Sequence, residues 1–192
     1  MQLNYSLTTS PAQPGQLYDM NQSGAEIRSY PAKVAIPFGV LCEINSDGTV
    51  QPVQDSTTGA SFKPLLAGVS MFKASKEMPL PAVGALAAAG TVQYAVGEMV
   101  PCVRRGTVWV QFDFGGTWPV GGVVNVWHSS TGANPQGVFT LTAAQTTAGA
   151  EIDKAPPSMA GAYASLAGAY TDAWGNTQTM AVLDINLPGN LV

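Results

Sequence analysis

Three places in the sequence hold residue types that could do chemistry. Ser70 and Lys73 match the S-x-x-K pairing of a serine nucleophile with a lysine, but that pairing needs a helix, and the flanking residues predict a strand followed by a loop. Glu151 and Asp153 would share one face of a strand, as a glycosidase carboxylate pair could, yet two prolines follow and favour a solvated loop. His128 is the only histidine, and no G-x-S-x-G or H-E-x-x-H occurs, so we expect a surface histidine at a strand end.

The cysteines and the glycine-rich segment also lack the patterns of a cofactor site. Cys42 and Cys102 are the only cysteines, and no C-x-x-C is present, so we expect free, mostly buried thiols in a reducing compartment, with a disulfide between them left open. The glycines around Trp118 lack the lysine of a phosphate-binding loop, so Trp118 belongs either to the core or to an interface. We therefore predict no catalytic residue, no cofactor and no metal site.

A pair of arginines interrupts an alternating stretch. Val100 and Cys102 precede Arg104-Arg105-Gly106, and apolar residues alternate again from Val108 onward, while Gly106 can adopt a positive φ. This pattern predicts a hairpin whose tip carries both arginines toward solvent or toward a partner.

The composition limits the classes of partner. Only 10% of the 192 residues are charged, against about 25% in an ordinary soluble domain. Such a surface suits a protein that packs against others, and equally a weakly charged β domain. The net charge is −4 and the eight basic residues are scattered, which disfavours nucleic acid. The most apolar window, residues 78–90, contains two prolines and is too short for a bilayer, and the start does not resemble a signal peptide.

The chain divides into an arm and one domain. Residues 1–30 are polar and rich in proline and glycine, so they form either a frayed terminus or an extended arm that orders on a neighbour. Residues 31–192 predict many short strands with little helix, and therefore an all-β barrel or sandwich. Even positions from Val34 to Ile44 are apolar and predict one sheet face, and Asp47-Gly48 predicts a hairpin turn.

Several phrases, in order, resemble the head cement (capsid decoration) proteins of tailed bacteriophages. They are residues 14–19 (PGQLYD), 29–30 (SY), 36–40 (IPFGV), 67–69 (AGV), 94–106 (YAVGEMVPCVRRG), 108–110 (VWV), 121–126 (GGVVNV) and the closing strand at 180–185. The region from Ser75 to Gly90 departs from the family pattern, because it is longer and more apolar than a simple loop.

The resemblance implies a structural virion protein, made in the host cytoplasm, that binds the outer capsid surface. Its partners would be the major capsid protein and copies of itself, as trimers at three-fold and local three-fold positions that stabilise the lattice. The residues that we expect at partner contacts are Leu3, Tyr5, Leu17, Tyr18, Tyr30, Arg104, Arg105 and Trp118.

Two alternatives remain open from the sequence. The chain could be another phage structural component, such as a head-completion, tail or fibre-associated protein. It could also be a carbohydrate-binding β domain, if exposed tryptophans stacked on sugars. Trp109 and Trp127 lie inside strand patterns, however, so we expect these two in the core.

Overall fold

A computed structural model describes residues 13–18, 24–54, 65–73, 93–113, 124–128, 136–141, 152–154, 159–161, 168–171 and 177–187. Within these ranges all the regular elements are β-strands, which confirms the predicted all-β class. The strands are β1 (Glu26–Pro31), β2 (Ile36–Pro37), β3 (Leu41–Ile44), β4 (Val50–Pro52), β5 (Leu66–Ser70), β6 (Gln93–Tyr94), β7 (Met99–Asp113), β8 (Asn125–Trp127), β9 (Phe139–Thr140), β10 (Ile152–Lys154), β11 (Met159–Gly161), β12 (Gly168–Thr171) and β13 (Thr177–Asn186).

One long strand, β7, organises the sheet. Its first half pairs antiparallel with β1 and β5, its second half pairs antiparallel with β13, and its end pairs parallel with β9. β3 and β4 extend the sheet beyond β5, and β8 and β10 extend it beyond β9. The sheet curls into a half-barrel around β7.

The predicted hairpin at Arg104-Arg105-Gly106 is wrong, because β7 is one continuous strand that includes these residues. The pairing with β1 passes from Arg105, opposite Glu26, to Val103, opposite Ile27, so Arg104 is an extra residue on β7. Such a β-bulge bends a strand and increases its twist. Gly106 follows with φ 129°, a conformation that favours glycine.

The bulge explains why the sequence alternates on even positions along both halves of β7. A regular strand directs residues of equal parity to one face. Val100 and Cys102 nevertheless pack in one apolar cluster, whereas Val108, Val110 and Phe112 pack in another. One inserted residue reverses the faces, so the alternation that resembled two strands around a turn belongs to one strand between two cores.

Arg104 is fully buried at this bulge. Its Nη1 donates a hydrogen bond to the carbonyl oxygen of Leu66 at 3.0 Å, and its Nε lies 3.6 Å from Oε1 of Glu26. Glu26 also binds Arg28 at 2.8 Å. Arg105 is exposed, and its Nε donates to Oδ1 of Asn186 at 3.2 Å. The two adjacent arginines therefore have opposite environments.

The described part of the arm lies on the chain's own sheet. The backbone N–H of Gly15 donates to the carbonyl of Trp109 at 2.6 Å, and the N–H of Tyr18 donates to the carbonyl of Thr107 at 2.8 Å. β1, which includes residues assigned to the arm, pairs with β7. Within the predicted arm of residues 1–30, the described residues 15–18 and 26–30 therefore bond to β7 of the same chain.

Backbone hydrogen bonds of two glycines and a serine, which we call the junction, connect the two halves of the curled sheet. Gly39 donates its N–H to the Ser70 carbonyl at 2.9 Å, and its carbonyl accepts from the N–H of Gln111, also at 2.9 Å. Phe72 donates its N–H to the Gly15 carbonyl at 2.9 Å. The two halves of β7 are thereby linked through Gly15, Gly39 and Ser70.

Gly15 should be irreplaceable for steric reasons. A Cβ on Gly15 would lie 2.5 Å from the Ser70 carbonyl oxygen at φ 82°, whereas Gly48 has φ 78° and no atom within 4 Å of such a Cβ. Gly15→Ala should lower the free energy of unfolding by about 2 kcal/mol more than the matched Gly48→Ala, because only the first overpacks backbone. Urea unfolding of both variants measures this, and equal losses would show that residue 15 does not dock on the sheet.

The two arginines should differ in their contribution to stability. Arg104→Met should lower the free energy of unfolding by about 2 kcal/mol, because it removes a buried charged donor from the Leu66 carbonyl. Arg105→Met should stay within about 0.5 kcal/mol of wild type, since its side chain is exposed. Denaturant unfolding compares them, and equal effects would restore the hairpin interpretation.

Candidate interaction surface

The serine and lysine of the S-x-x-K match do not form a catalytic pair. Ser70 is buried in β5, where its hydroxyl donates to the Pro37 carbonyl at 2.7 Å and accepts from the Val40 N–H at 3.1 Å. Lys73 is exposed, and its Nζ lies 3.4 Å from Oε1 of Glu98. The Ser70 hydroxyl therefore stabilises the β-sheet junction.

The structure also gives the positions of His128 and Asp153, two other residues considered for chemistry. His128 is buried, which corrects the expectation of a surface histidine; the pairing of Trp127 beside it with β10 places it inside the sheet assembly. Asp153 lies in β10 opposite Val126 and not in a solvated loop, because the prolines come after the strand. Glu151 lies outside the described residues.

The two thiols are free and buried, as predicted. The neighbouring Cys102 thiol and burial together raise the pKa of Cys42 well above its usual value. Burial likewise raises the pKa of Tyr94, whose hydroxyl donates to the Met71 carbonyl at 2.7 Å. Because a thiolate is the reactive form of cysteine, this raised pKa disfavours a nucleophilic role for Cys42.

Two further findings concern the described ranges alone. No group of three or more His, Cys, Asp or Glu side chains there could hold a metal ion. No helix in this part of the chain is long and apolar enough to cross a membrane.

Three exposed apolar side chains lie on two adjoining segments, one around the start of β7 and one after β1, and we call them the end patch. Val34, Val96 and Met99 have exposed fractions of 42%, 69% and 55%. Gly97 donates its N–H to the Ala32 carbonyl and Ala32 donates to the Glu98 carbonyl, both at 2.8 Å. These bonds bring the turn before β7 against the segment after β1, so the segments that carry the three side chains adjoin.

Sequence reasoning missed this surface. The even-position pattern predicts Val34 on one sheet face with Ile36 and Phe38, but it falls in the bend between β1 and β2 and is exposed. A signal was present for the others: Val96 precedes Gly97 in a turn with φ 81°, and Met99 has odd parity where Val100 and Cys102 are core. Both features place a side chain away from the core.

The predicted partner-contact residues are spread over the molecule. Tyr18 is exposed, with its ring centroid 6.2 Å from that of Trp109, while Leu17 and Tyr30 are half-buried against the two apolar clusters. Arg105 is exposed and Arg104 is not. Leu3, Tyr5 and Trp118 lie outside the described residues.

The tryptophans bear on the carbohydrate hypothesis. Trp109 and Trp127 are buried, as expected from their strand positions, so neither presents a ring face to a sugar. Trp118 and Trp174 are outside the described ranges. No described observation favours a glycan site.

Comparisons with known proteins agree with a structural role. A search of curated proteins finds no match. A solved structure entitled "The capsid of Myoviridae Phage XM1" is similar in fold, with a TM-score of 0.61 and 12% identity over 97% of this chain and 98% of that one. The family model described as "Structural cement protein (E217 gp24/Pam3 gp6)" matches residues 1–183.

The fold similarity at 12% identity shows only a shared architecture. The family model covers nearly the whole chain, and it therefore shows the family. It also agrees with the ordered strand phrases and with the structural roles of Ser70 and Arg104. The chain therefore belongs to the phage structural cement protein family.

Proposed function

We propose that this protein binds the outer surface of an assembled phage capsid, as trimers at three-fold and local three-fold positions, and stabilises the lattice of the major capsid protein. The role is structural and not enzymatic. Membership of the cement family supports it, as does a fold similar to a chain in a phage capsid structure.

The observation that carries the proposal is the end patch. Scattered apolar side chains are normal on a surface, whereas a group on adjoining segments indicates an interaction site. The segments that carry Val34, Val96 and Met99 adjoin through the backbone bonds of Ala32, Gly97 and Glu98. We assign the end patch to the contact with the capsid.

Physical arguments favour cementing by such a surface. Few charges must be desolvated when the protein binds, because only 10% of its residues are charged. A trimer that engages several capsid subunits at once converts modest contacts into strong attachment through effective concentration. The symmetry of a shell repeats each contact many times.

Seven of the sequence-predicted contact residues remain in the proposal. Tyr18 and Arg105 are exposed and can reach a partner directly. Arg104 is left out, because its side chain is fully buried at the bulge. The others that we retain are Leu3, Tyr5, Leu17, Tyr30 and Trp118.

A charge in the end patch should weaken capsid attachment. Val96→Asp and Met99→Asp should each reduce binding to expanded capsids at least 10-fold, because the carboxylate must be desolvated in an apolar contact. Co-sedimentation with capsids measures the bound fraction across a concentration series. Thermal unfolding of the isolated variants should match wild type, since both side chains are exposed.

Leu65→Asp is the matched control. Leu65 is 52% exposed and precedes β5, and it is the opposite end of β5, at Val69 and Ser70, that pairs with Val103 and Cys102 near the start of β7. It should bind capsids like wild type. Wild-type binding by the Val96 and Met99 variants, or an equal loss with Leu65→Asp, would contradict the assignment of the end patch.

A further inference from the structure

We propose that the exposed edge of β1 receives residues 3–9 of a second copy as an added strand. This inference rests on the self-association in the proposed function, but it does not depend on capsid binding. It identifies a backbone interface between copies of the chain.

The outer edge of β1 presents hydrogen-bonding groups to solvent. The N–H of Ala32 donates to Glu98, and the register continues through Tyr30 opposite Val100 and Arg28 opposite Cys102. Because alternate residues of an antiparallel strand face opposite edges, the backbone groups of Ile27 and Ser29 point away from β7. Both residues are exposed, and among the described strands β1 pairs with β7 alone.

The sequence limits the length of this edge. Pro31 follows on the outward parity and has no N–H, so it ends the donor edge, as prolines commonly do at edge strands. The charge of Arg28 is compensated by Glu26 at 2.8 Å. A short edge with an exposed Ile27 is thus open to one added segment of a few residues.

The start of the chain has the pattern of such a segment. Leu3, Tyr5 and Leu7 alternate with polar residues, which gives one apolar face with a period of two. Residues 1–18 contain no charged side chain, and Pro11 follows the alternating run. An isolated strand is unstable in water, so this pattern is satisfied when the segment joins the edge of a sheet, as we propose.

The direction of the chain indicates that the edge belongs to a second copy. Leu17 bridges Val108 in antiparallel orientation, and the chain from Tyr18 back to Gly15 moves from Thr107 to Trp109. Traced from Tyr18 back to Gly15, the chain therefore runs toward the end of β7 and away from β1, which pairs with residues 99–105. Adding a strand in this way supplies affinity mainly through backbone hydrogen bonds.

Cross-linking in solution tests the pairing. Ser29→Cys is combined, in separate variants, with a cysteine at each position from 3 to 7, and the full chain is oxidised mildly. Covalent dimers and larger multimers should form at one or more positions, while the buried Cys42 and Cys102 do not compete. As a control, Ser46→Cys, in the exposed turn between β3 and β4, replaces Ser29→Cys in the same combinations. It should give at least 10-fold less covalent multimer.

The backbone contribution is tested separately at Ser29. Ser29→Pro removes the outward N–H and should weaken self-association at least 10-fold by light scattering, as should deletion of residues 1–10, while Ser29→Ala should behave as wild type. A monomeric wild-type chain, only intramolecular cross-links, or unchanged association of Ser29→Pro would overturn the inference. A monomer that still binds capsids would overturn this inference alone.

Discussion

The fold depends on the continuity of β7 through a β-bulge at Arg104. That one extra residue reverses which face each later side chain occupies, so a single strand supplies apolar residues to two clusters. The bend also allows the two halves of the strand to be linked through Gly15, Gly39 and Ser70. Without the bulge, Val108, Val110 and Phe112 would face the cluster that contains Cys102.

Much of this architecture follows from the sequence. The even-position pattern at Ile36, Phe38 and Val40 predicts buried residues, and Asp47-Gly48 predicts a turn in which Gly48 has φ 78°. The bulge could not be predicted, because an inserted residue and a hairpin leave the same alternation on both flanks. Only the pairing of β1 distinguishes them.

The candidate surface was less predictable than the fold, because exposure depends on which segments meet. A valine at position 34 fits a strand face by its parity, yet the chain bends there. Arg104 and His128 are polar residues that sequence reasoning places at the surface, facing solvent or, for Arg104, solvent or a partner, whereas the fold buries both. The resemblance to cement proteins succeeded where single residues did not, since it used the order of many strand phrases.

The side chains of Ser70 and Arg104 bind backbone carbonyl oxygens within the fold, and the proposed function lies at the surface. The most direct measurement is a cryo-EM map of phage particles with and without the protein. The account predicts added density outside the shell at three-fold and local three-fold positions, with the end patch of Val34, Val96 and Met99 turned toward the major capsid protein. Added density inside the shell or at the tail would contradict the account. So would the absence of added density on capsids that bind the protein in solution.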